Sequence, residues 1–193
     1  METSSINCMI CGADLKYTPK HYKKQCYYCK EISESNAECE NGHYVCDKCH
    51  SSKGNEFIKR YCNSSDSTNP ILMAQEIMQH SSINMHGPEH HYLVPAVLIT
   101  AYYNKTGYNH LIAEKLNEAE RRVSNISGGF CGFYGACGAS IGTGIFMSLI
   151  NNTTPLSKES WQTANMITAQ TLYCVAKKGG PRCCKRTVYI ALQ

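Results

Sequence analysis

The first quarter of the chain contains cysteines at metal-ligand spacing. Three Cys-x2-Cys pairs and one Cys-x3-His pair give eight candidate ligands: Cys8, Cys11, Cys26, Cys29, Cys39, His43, Cys46 and Cys49. A Cys-x2-Cys loop lets two thiolates bind one ion while backbone N–H groups neutralise charge on sulfur. The spacing therefore predicts two tetrahedral zinc ions in a small module of the treble-clef or zinc-ribbon type. Gly12 and Gly42 are expected to form the turns of this module.

Two pairings of these ligands fit the spacing. In a zinc ribbon, the first four cysteines bind one ion, and Cys39, His43, Cys46 and Cys49 bind the second. In a cross-braced arrangement resembling a RING finger, Cys26, Cys29, Cys46 and Cys49 share one ion. The remaining ligands, Cys8, Cys11, Cys39 and His43, then share the other. Both pairings use the same eight residues, so the spacing leaves the choice open.

The distribution of cysteines and apolar residues predicts two domains. Residues 1–62 hold eight of the 13 cysteines and almost no apolar run. A segment of this kind cannot bury enough surface to fold without metal. Residues 63–69 are polar and resemble a linker, so we predict a zinc-binding module at 1–62 and an all-α domain at 70–193.

The second part shows the apolar period of helices. Asn69-Pro70 is a typical helix start, and six periodic segments follow, which predicts a bundle of five or six helices. Residues 130–150 are uncharged and long enough to span a membrane. Their five glycines and several hydroxyl groups favour a helix buried within the bundle instead, from Gly138 to Ile150. No membrane association is expected.

A second group of cysteines lies in the predicted helical domain. Cys131 and Cys137 lie in a glycine-rich segment, and Cys183 and Cys184 follow Gly179-Gly180-Pro181. Helix N-termini and the surrounding basic residues are expected to lower the pKa values of these thiols. Four such thiols could bind an iron–sulfur cluster, bind another soft metal or cycle through a disulfide. The alternative is plain packing, which we predict for Cys62 and Cys174.

The segment from His86 to His91 (HGPEHH) offers further polar groups. His86, Glu89 and His90 could complete the cysteine site as ligands or as a general acid–base pair. The alternative is a capped loop with solvated histidines.

The N-terminus, METSSINCMICG, has neither a basic stretch nor an apolar stretch, which predicts the absence of a signal peptide and a cytoplasmic location. In a reducing compartment, cysteines are metal ligands or redox thiols more often than structural disulfides. The odd number of cysteines, 13, agrees with this interpretation.

The helical domain resembles a known motif family. Gly129-x-Cys131, then Ala136-Cys137-Gly138-Ala139-x3-Thr143-Gly144 and a later cysteine pair, resemble the small helical C-GCAxxG-C-C proteins, although the glycine spacing differs. A redox or metal-centre role is ascribed to those proteins from their motif. The whole chain, with HGPEHH, GGFCGFYGACGA and PRCCKR, resembles an uncharacterised-domain family of anaerobic bacteria and methanogens, which implies an anaerobic setting.

Three functions follow as hypotheses. The leading one is a cytoplasmic redox-active or metal-centre protein that uses the four later cysteines and exchanges electrons with a partner protein. The second is a zinc-dependent module that binds protein or RNA, with the bundle as scaffold. Lysines interleaved with tyrosines at 16–28 would suit single-stranded nucleic acid, but a net charge of +1 over residues 1–62 disfavours it. The third is an enzyme of thiol, sulfur or one-carbon transfer with Cys137 as nucleophile or metal ligand.

Overall fold

The structure is a computed structural model that describes residues 7–193. The chain divides into two compact units, one up to His50 and one from Ser51 to Gln193. Residues 51–62, which the sequence assigned to the zinc module, belong to the second unit. Ile58 and Cys62 are fully buried in that unit's hydrophobic core.

The first unit is built on one antiparallel β-hairpin. Strand β1 (Leu15–Gln25) pairs with strand β2 (Ile32–Cys39), so that Leu15 lies opposite Cys39 and Gln25 lies opposite Ile32. The register shifts between Tyr17 and Tyr22, where β1 has extra residues. Helix α1 (Asp47–Ser64) begins at the end of this unit.

The second unit is helical, as predicted. After α1, its helices are α2 (Pro70–Ile77), α3 (Glu89–Thr106), α4 (Ile112–Val123), α5 (Phe130–Phe133), α6 (Gly138–Ile150), α7 (Glu159–Lys177) and α8 (Cys184–Leu192). A 3₁₀ turn, Asn109–Leu111, precedes α4. The prediction of five or six helices was too low. Each of the six periodic segments forms a helix, and α1 and the single-turn α5 are additional because neither has a long apolar period.

Helix α3 lies at the centre of the bundle. Twelve of its 18 residues are buried, and α2, α4, α6 and α8 all pack against it. Such a helix is apolar on every side, whereas α4 is amphipathic and buries only Ile112, Leu116, Ala119 and Val123. The core of the second unit therefore surrounds α3.

Glycines in α6 allow two helices to approach it closely. A Cβ on Gly142 would lie 2.8 Å from Cδ of Pro95 in α3. A Cβ on Gly144 would lie 2.0 Å from Oγ1 of Thr168 in α7. Any side chain at either position would push α6 away from its neighbour, so these two glycines serve packing.

Across residues 7–193, no helix is long and apolar enough to cross a membrane. Helix α6, the apolar centre of the uncharged segment, has 13 residues, whereas a span needs about 20.

Burial of Cys62 predicts a loss of stability at alkaline pH. Burial raises the pKa of this thiol to about 12, well above the value of about 8.5 for a free cysteine. Between these values the unfolded chain binds fewer protons than the folded one, so stability is complete below pH 8.5 and falls as pH rises. We expect ionisation of this thiol to lower the free energy of unfolding by about 2 kcal/mol between pH 8.5 and 10.5. Urea titrations under reductant should show that the unfolding free energies of the wild type and Cys62→Ala differ by this amount less at pH 10.5 than at pH 8.5. A difference that stays constant with pH would contradict the prediction.

Candidate metal centres

The eight N-terminal ligands form two groups of four. Cys8, Cys11, Cys39 and His43 form site 1, and Cys26, Cys29, Cys46 and Cys49 form site 2. Within each site the ligand atoms all lie within 4.8 Å of one another, so both groups are positioned to hold a metal ion. This is the cross-braced pairing. The zinc-ribbon pairing is wrong, because neither site contains Cys11 together with Cys26.

The hairpin explains why the ligands pair out of sequence order. The register places Leu15 opposite Cys39, which brings the chain before β1 next to the chain after β2 and assembles site 1 at that end. At the other end, residues 26–31 connect the strands and supply Cys26 and Cys29. The segment leading into α1 supplies the other half of site 2, Cys46 and Cys49.

The first two Cys-x2-Cys loops, which start at Cys8 and Cys26, have the same backbone geometry. In the first, the N–H of Cys8 donates to the carbonyl of Ala13 at 2.7 Å and the N–H of Gly12 donates to Cys8 at 2.9 Å. The second repeats this pattern from Cys26, at 2.9 and 3.1 Å. The turn needs a positive φ after the second cysteine, and Gly12 has φ 72° while Lys30 has φ 62°. The turn at Gly12 was predicted, whereas the turn at Lys30 was not, because no glycine occupies that position.

The ligand distances suit tetrahedral coordination. A metal–sulfur distance of about 2.3 Å gives a tetrahedron with sulfur–sulfur edges of about 3.8 Å. The Sγ atoms of Cys29 and Cys46 are 3.7 Å apart, and those of Cys11 and Cys39 are 3.5 Å apart. Nδ1 of His43 lies 3.3 Å from Sγ of Cys11, which identifies Nδ1 as the ligand atom of this histidine. Each site can therefore hold one ion, and the geometry is compatible with zinc.

N–H groups favour the thiolate at Cys11 and Cys26, whereas burial raises the pKa values of Cys39, Cys46 and Cys49. The side-chain amide of Asn41 donates to Sγ of Cys11 at 3.4 Å and is the main reason that the pKa of Cys11 falls to about 6. At Cys26, burial raises the pKa, but N–H groups, chiefly that of Cys46 at 3.4 Å, bring it down to about 6. The ring of Tyr27, from the site 2 loop, packs edge-on against the site 1 ligand His43. Asn41 and Tyr27 were not predicted, because no spacing rule marks such supporting residues.

The structure places the later cysteines at the predicted helix ends. Cys137 is the N-cap of α6 and Cys183 is the N-cap of α8, whose first residue is Cys184. Cys131 lies in α5. Cys62 is buried as expected, but Cys174 lies exposed on α7, so its predicted packing role is wrong.

Two of these cysteines, Cys131 and Cys137, lie near Cys184. Cys184 is close enough to Cys131 and Cys137 for their charges to raise its pKa. The backbone N–H of Gly87 also reaches Cys184, so this thiol contacts the HGPEHH segment. Among residues 7–193, no three of the four cysteines bring ligand atoms within 4.8 Å of one another, so they do not form a single-ion site like sites 1 and 2. We call Cys131, Cys137 and Cys184 the thiol cluster.

The expected lowering of pKa is wrong for Cys184. Burial raises the pKa of this thiol to about 11, and the opposing effects of Gly87 and Arg182 are smaller. Two residues of the predicted basic surroundings are bonded elsewhere. Lys185 donates to the carbonyl of Met78 at 2.6 Å, and Arg186 donates to the carbonyl of Gly179 at 2.7 Å.

Glu89 and His90 hold the loop before α3. Oε1 of Glu89 accepts from the backbone N–H and the side-chain amide of Asn84 at 2.9 and 3.0 Å. Nε2 of His90 donates to the carbonyl of Asn84 at 2.9 Å. Both side chains are essentially unexposed, so the alternative of solvated histidines is wrong for His90, whose pKa is lowered by burial. Their contacts fix the segment that includes His86 and Gly87.

His86 directly precedes Gly87, whose N–H reaches Cys184, and His91 contacts the first residue of α6. Burial and the charge of Arg182 lower the pKa of His86. The ring of His91 lies against Gly138, the residue after Cys137. The predicted site residues did not include His91, and its only sequence signal is its place at the end of HGPEHH.

The comparisons with known proteins match the helical unit and not the N-terminal unit. Residues 58–193 match a family described as a family of unknown function, DUF5714, and the chain belongs to that family. No curated protein matches the chain, and no solved structure matches it.

Proposed function

We propose, for this member of a family without an assigned function, that the helical unit binds a redox-active metal centre through its thiol cluster. The N-terminal unit binds two structural zinc ions in this proposal. The observation that carries it is the approach of Cys131 and Cys137 to Cys184, from three separate segments of the chain.

Zinc is the metal that best suits sites 1 and 2. One site offers three thiolates and one imidazole, and the other offers four thiolates, which are the donor sets of structural zinc sites. All four positions come from protein ligands, so neither site leaves a position for substrate. Zinc does not change its oxidation state, so sites 1 and 2 contribute stability and no redox chemistry.

An iron–sulfur cluster is the centre that best suits the thiol cluster. Around one ion, ligand sulfurs converge as they do in sites 1 and 2. Around a cluster of four irons and four sulfides, each thiolate binds a different iron atom, so the sulfurs stand farther apart. Cys131 and Cys137 lie near enough to Cys184 to affect its pKa, and the thiols do not converge on one point, which suits this wider arrangement. Cys183, next to Cys184, offers a fourth thiolate.

The surroundings of Cys184 suit a ligand that ionises only on binding. Its neutral thiol is favoured by burial, and a coordinated metal deprotonates a thiol outright. Helices α6 and α8 both begin at cysteines of this region, and helix N-termini stabilise negative charge. One-electron exchange with a partner protein in a reducing cytoplasm is the function that we propose for this centre.

Metal and sulfide analysis of the full chain, purified without oxygen, tests the proposal. We expect two zinc ions per chain, together with iron and acid-labile sulfide. Cys184→Ser should lose the iron and sulfide and keep the zinc, whereas Cys174→Ser, a matched change at an exposed cysteine, should keep all three. Two zinc ions with no iron and no sulfide in the wild type would overturn the proposal for the thiol cluster.

A further inference from the structure

Helix α7 lies at the surface of the bundle, yet its outer face is almost free of charge. Only Ala164 and Thr171 of its 19 residues are buried, and the helix packs against α6 and α8. No charged residue occurs between Glu159 and Lys177, whereas α4, another surface helix, has six charged residues in twelve. Helix faces that meet water normally carry charged side chains. The outer face of α7 therefore has the composition of a covered surface.

Six exposed residues form a straight stripe along this face. Successive members are separated by 4, 3, 4, 3 and 4 positions, the heptad spacing by which two helices pack side by side. Met166 is 50% exposed and Tyr173 is 64% exposed, so the apolar members of the stripe are open to contact. The members of this α7 stripe are Glu159, Thr163, Met166, Gln170, Tyr173 and Lys177.

The spacing of the α7 stripe is the same when it is read from either end. A second copy of α7 in the antiparallel orientation therefore matches the stripe at every position. This is the self-complementarity that the twofold axis of a homodimer requires. Antiparallel pairing also places Met166 of one copy beside the ring of Tyr173 of the second copy, and contacts between a thioether and an aromatic ring are favourable.

The charges at the two ends of the α7 stripe fit the same orientation. Glu159 begins the stripe, Lys177 ends it, and both side chains are exposed. Antiparallel pairing brings Glu159 of each copy to Lys177 of the other, whereas parallel pairing would bring like charges together at both ends. Charge complementarity across an interface fixes its register and suppresses wrong partners. It favours a second copy of this chain as the occupant of the face.

We infer that the protein forms a homodimer by antiparallel pairing of α7 with α7 of a second copy, about a twofold axis midway along the α7 stripe. A helix of 19 residues is about 28 Å long. A single pair of such helices makes a small interface, so the dimer should dissociate reversibly on dilution. The inference does not depend on a metal centre in the thiol cluster.

Sedimentation velocity of the full chain, with bound zinc and reductant at low ionic strength, tests the dimer. Between micromolar and millimolar chain concentrations we expect a monomer–dimer equilibrium. Met166→Glu should raise the dissociation constant at least about a hundredfold, because it brings two carboxylates together near the twofold axis. Met85→Glu is the matched control and should leave the constant unchanged, since Met85 is also 50% exposed but lies in the loop before α3.

A charge exchange tests the antiparallel orientation. Glu159→Lys and Lys177→Glu should each weaken the dimer about tenfold, and the double variant should restore it. Within one chain these residues are about 27 Å apart along the helix, too far for an ion pair. Each change also opposes the helix dipole, and the double variant has both penalties. Recovery would therefore report contact between the two copies, and an unchanged helical circular dichroism spectrum would show that each variant is folded.

The opposing outcomes are equally definite. A chain that stays monomeric over this concentration range overturns the inference, and so does a dimer that persists in Met166→Glu. A double variant that fails to recover overturns the antiparallel orientation. A monomer that cosediments with neutral phosphatidylcholine vesicles, and loses this binding in Met166→Glu, would assign the face to a lipid surface and overturn the homodimer. None of these results depends on the iron content of the thiol cluster, so the proposed function is tested separately.

Discussion

Replacing Cys8 and Cys39 together by alanine should remove one of the two N-terminal metal ions and leave the other bound. Replacing Cys8 and Cys26 together should remove both. The reason is the cross-braced grouping, in which the first pair belongs to site 1 and the second pair is divided between the two sites. Both double variants remove two thiolates, so each is the matched control for the other.

Loss of both metal ions should also unfold the N-terminal unit. A structural zinc ion contributes about 10–16 kcal/mol of apparent binding free energy, and a unit without a large apolar core depends on it. We therefore expect residues 7–50 to lose their dispersed amide resonances in the variant that binds neither ion. Metal analysis together with two-dimensional NMR measures both effects. Retention of one ion after the Cys8 and Cys26 replacements, with loss of both after the Cys8 and Cys39 replacements, would indicate the consecutive pairing instead.

Tyr92→Ala should destabilise the helical unit by about 3–5 kcal/mol. Tyr92 is fully buried in α3, the helix that contacts most of the bundle, and its hydroxyl donates to the carbonyl of Leu116 at 3.2 Å. The alanine variant loses the ring contacts and leaves a cavity that the surrounding helices fill only in part. Tyr92→Phe keeps the ring and should cost about 1 kcal/mol, the value of one hydrogen bond.

Chemical denaturation followed by far-ultraviolet circular dichroism measures this difference. The N-terminal unit contributes little helix, so the signal reports mainly on the bundle. Tyr102→Ala, at a partly exposed tyrosine of the same helix, is the control and should cost much less. Equal losses for Tyr92→Ala and Tyr102→Ala would contradict the central, buried position of α3.

The helix boundaries were predictable because they depend on local chemistry. Asn69 caps α2 by accepting from the N–H groups of Ile71 and Leu72, as its place before Pro70 indicated. Helix α6 runs from Gly138 to Ile150, as predicted from the glycine-rich segment before it. Helix α3 begins at Glu89, directly after Pro88 at the N-cap position. The single turn α5 was missed because four residues are too few to show a period.

The sites were predictable only in part, for a different reason. Local sequence patterns were enough to identify the eight ligands of sites 1 and 2 and to place Cys137 and Cys184 at helix N-termini, since spacing and capping act over a few residues. Which ligands share an ion depends on the tertiary structure, because the register of the hairpin brings Cys39 and His43 to Cys8 and Cys11 across 28 to 35 residues. The tertiary structure also decided that Cys184 is buried with a raised pKa and that His91 faces Gly138. Burial and contact between distant segments arise from packing of the whole bundle, and no local pattern encodes them.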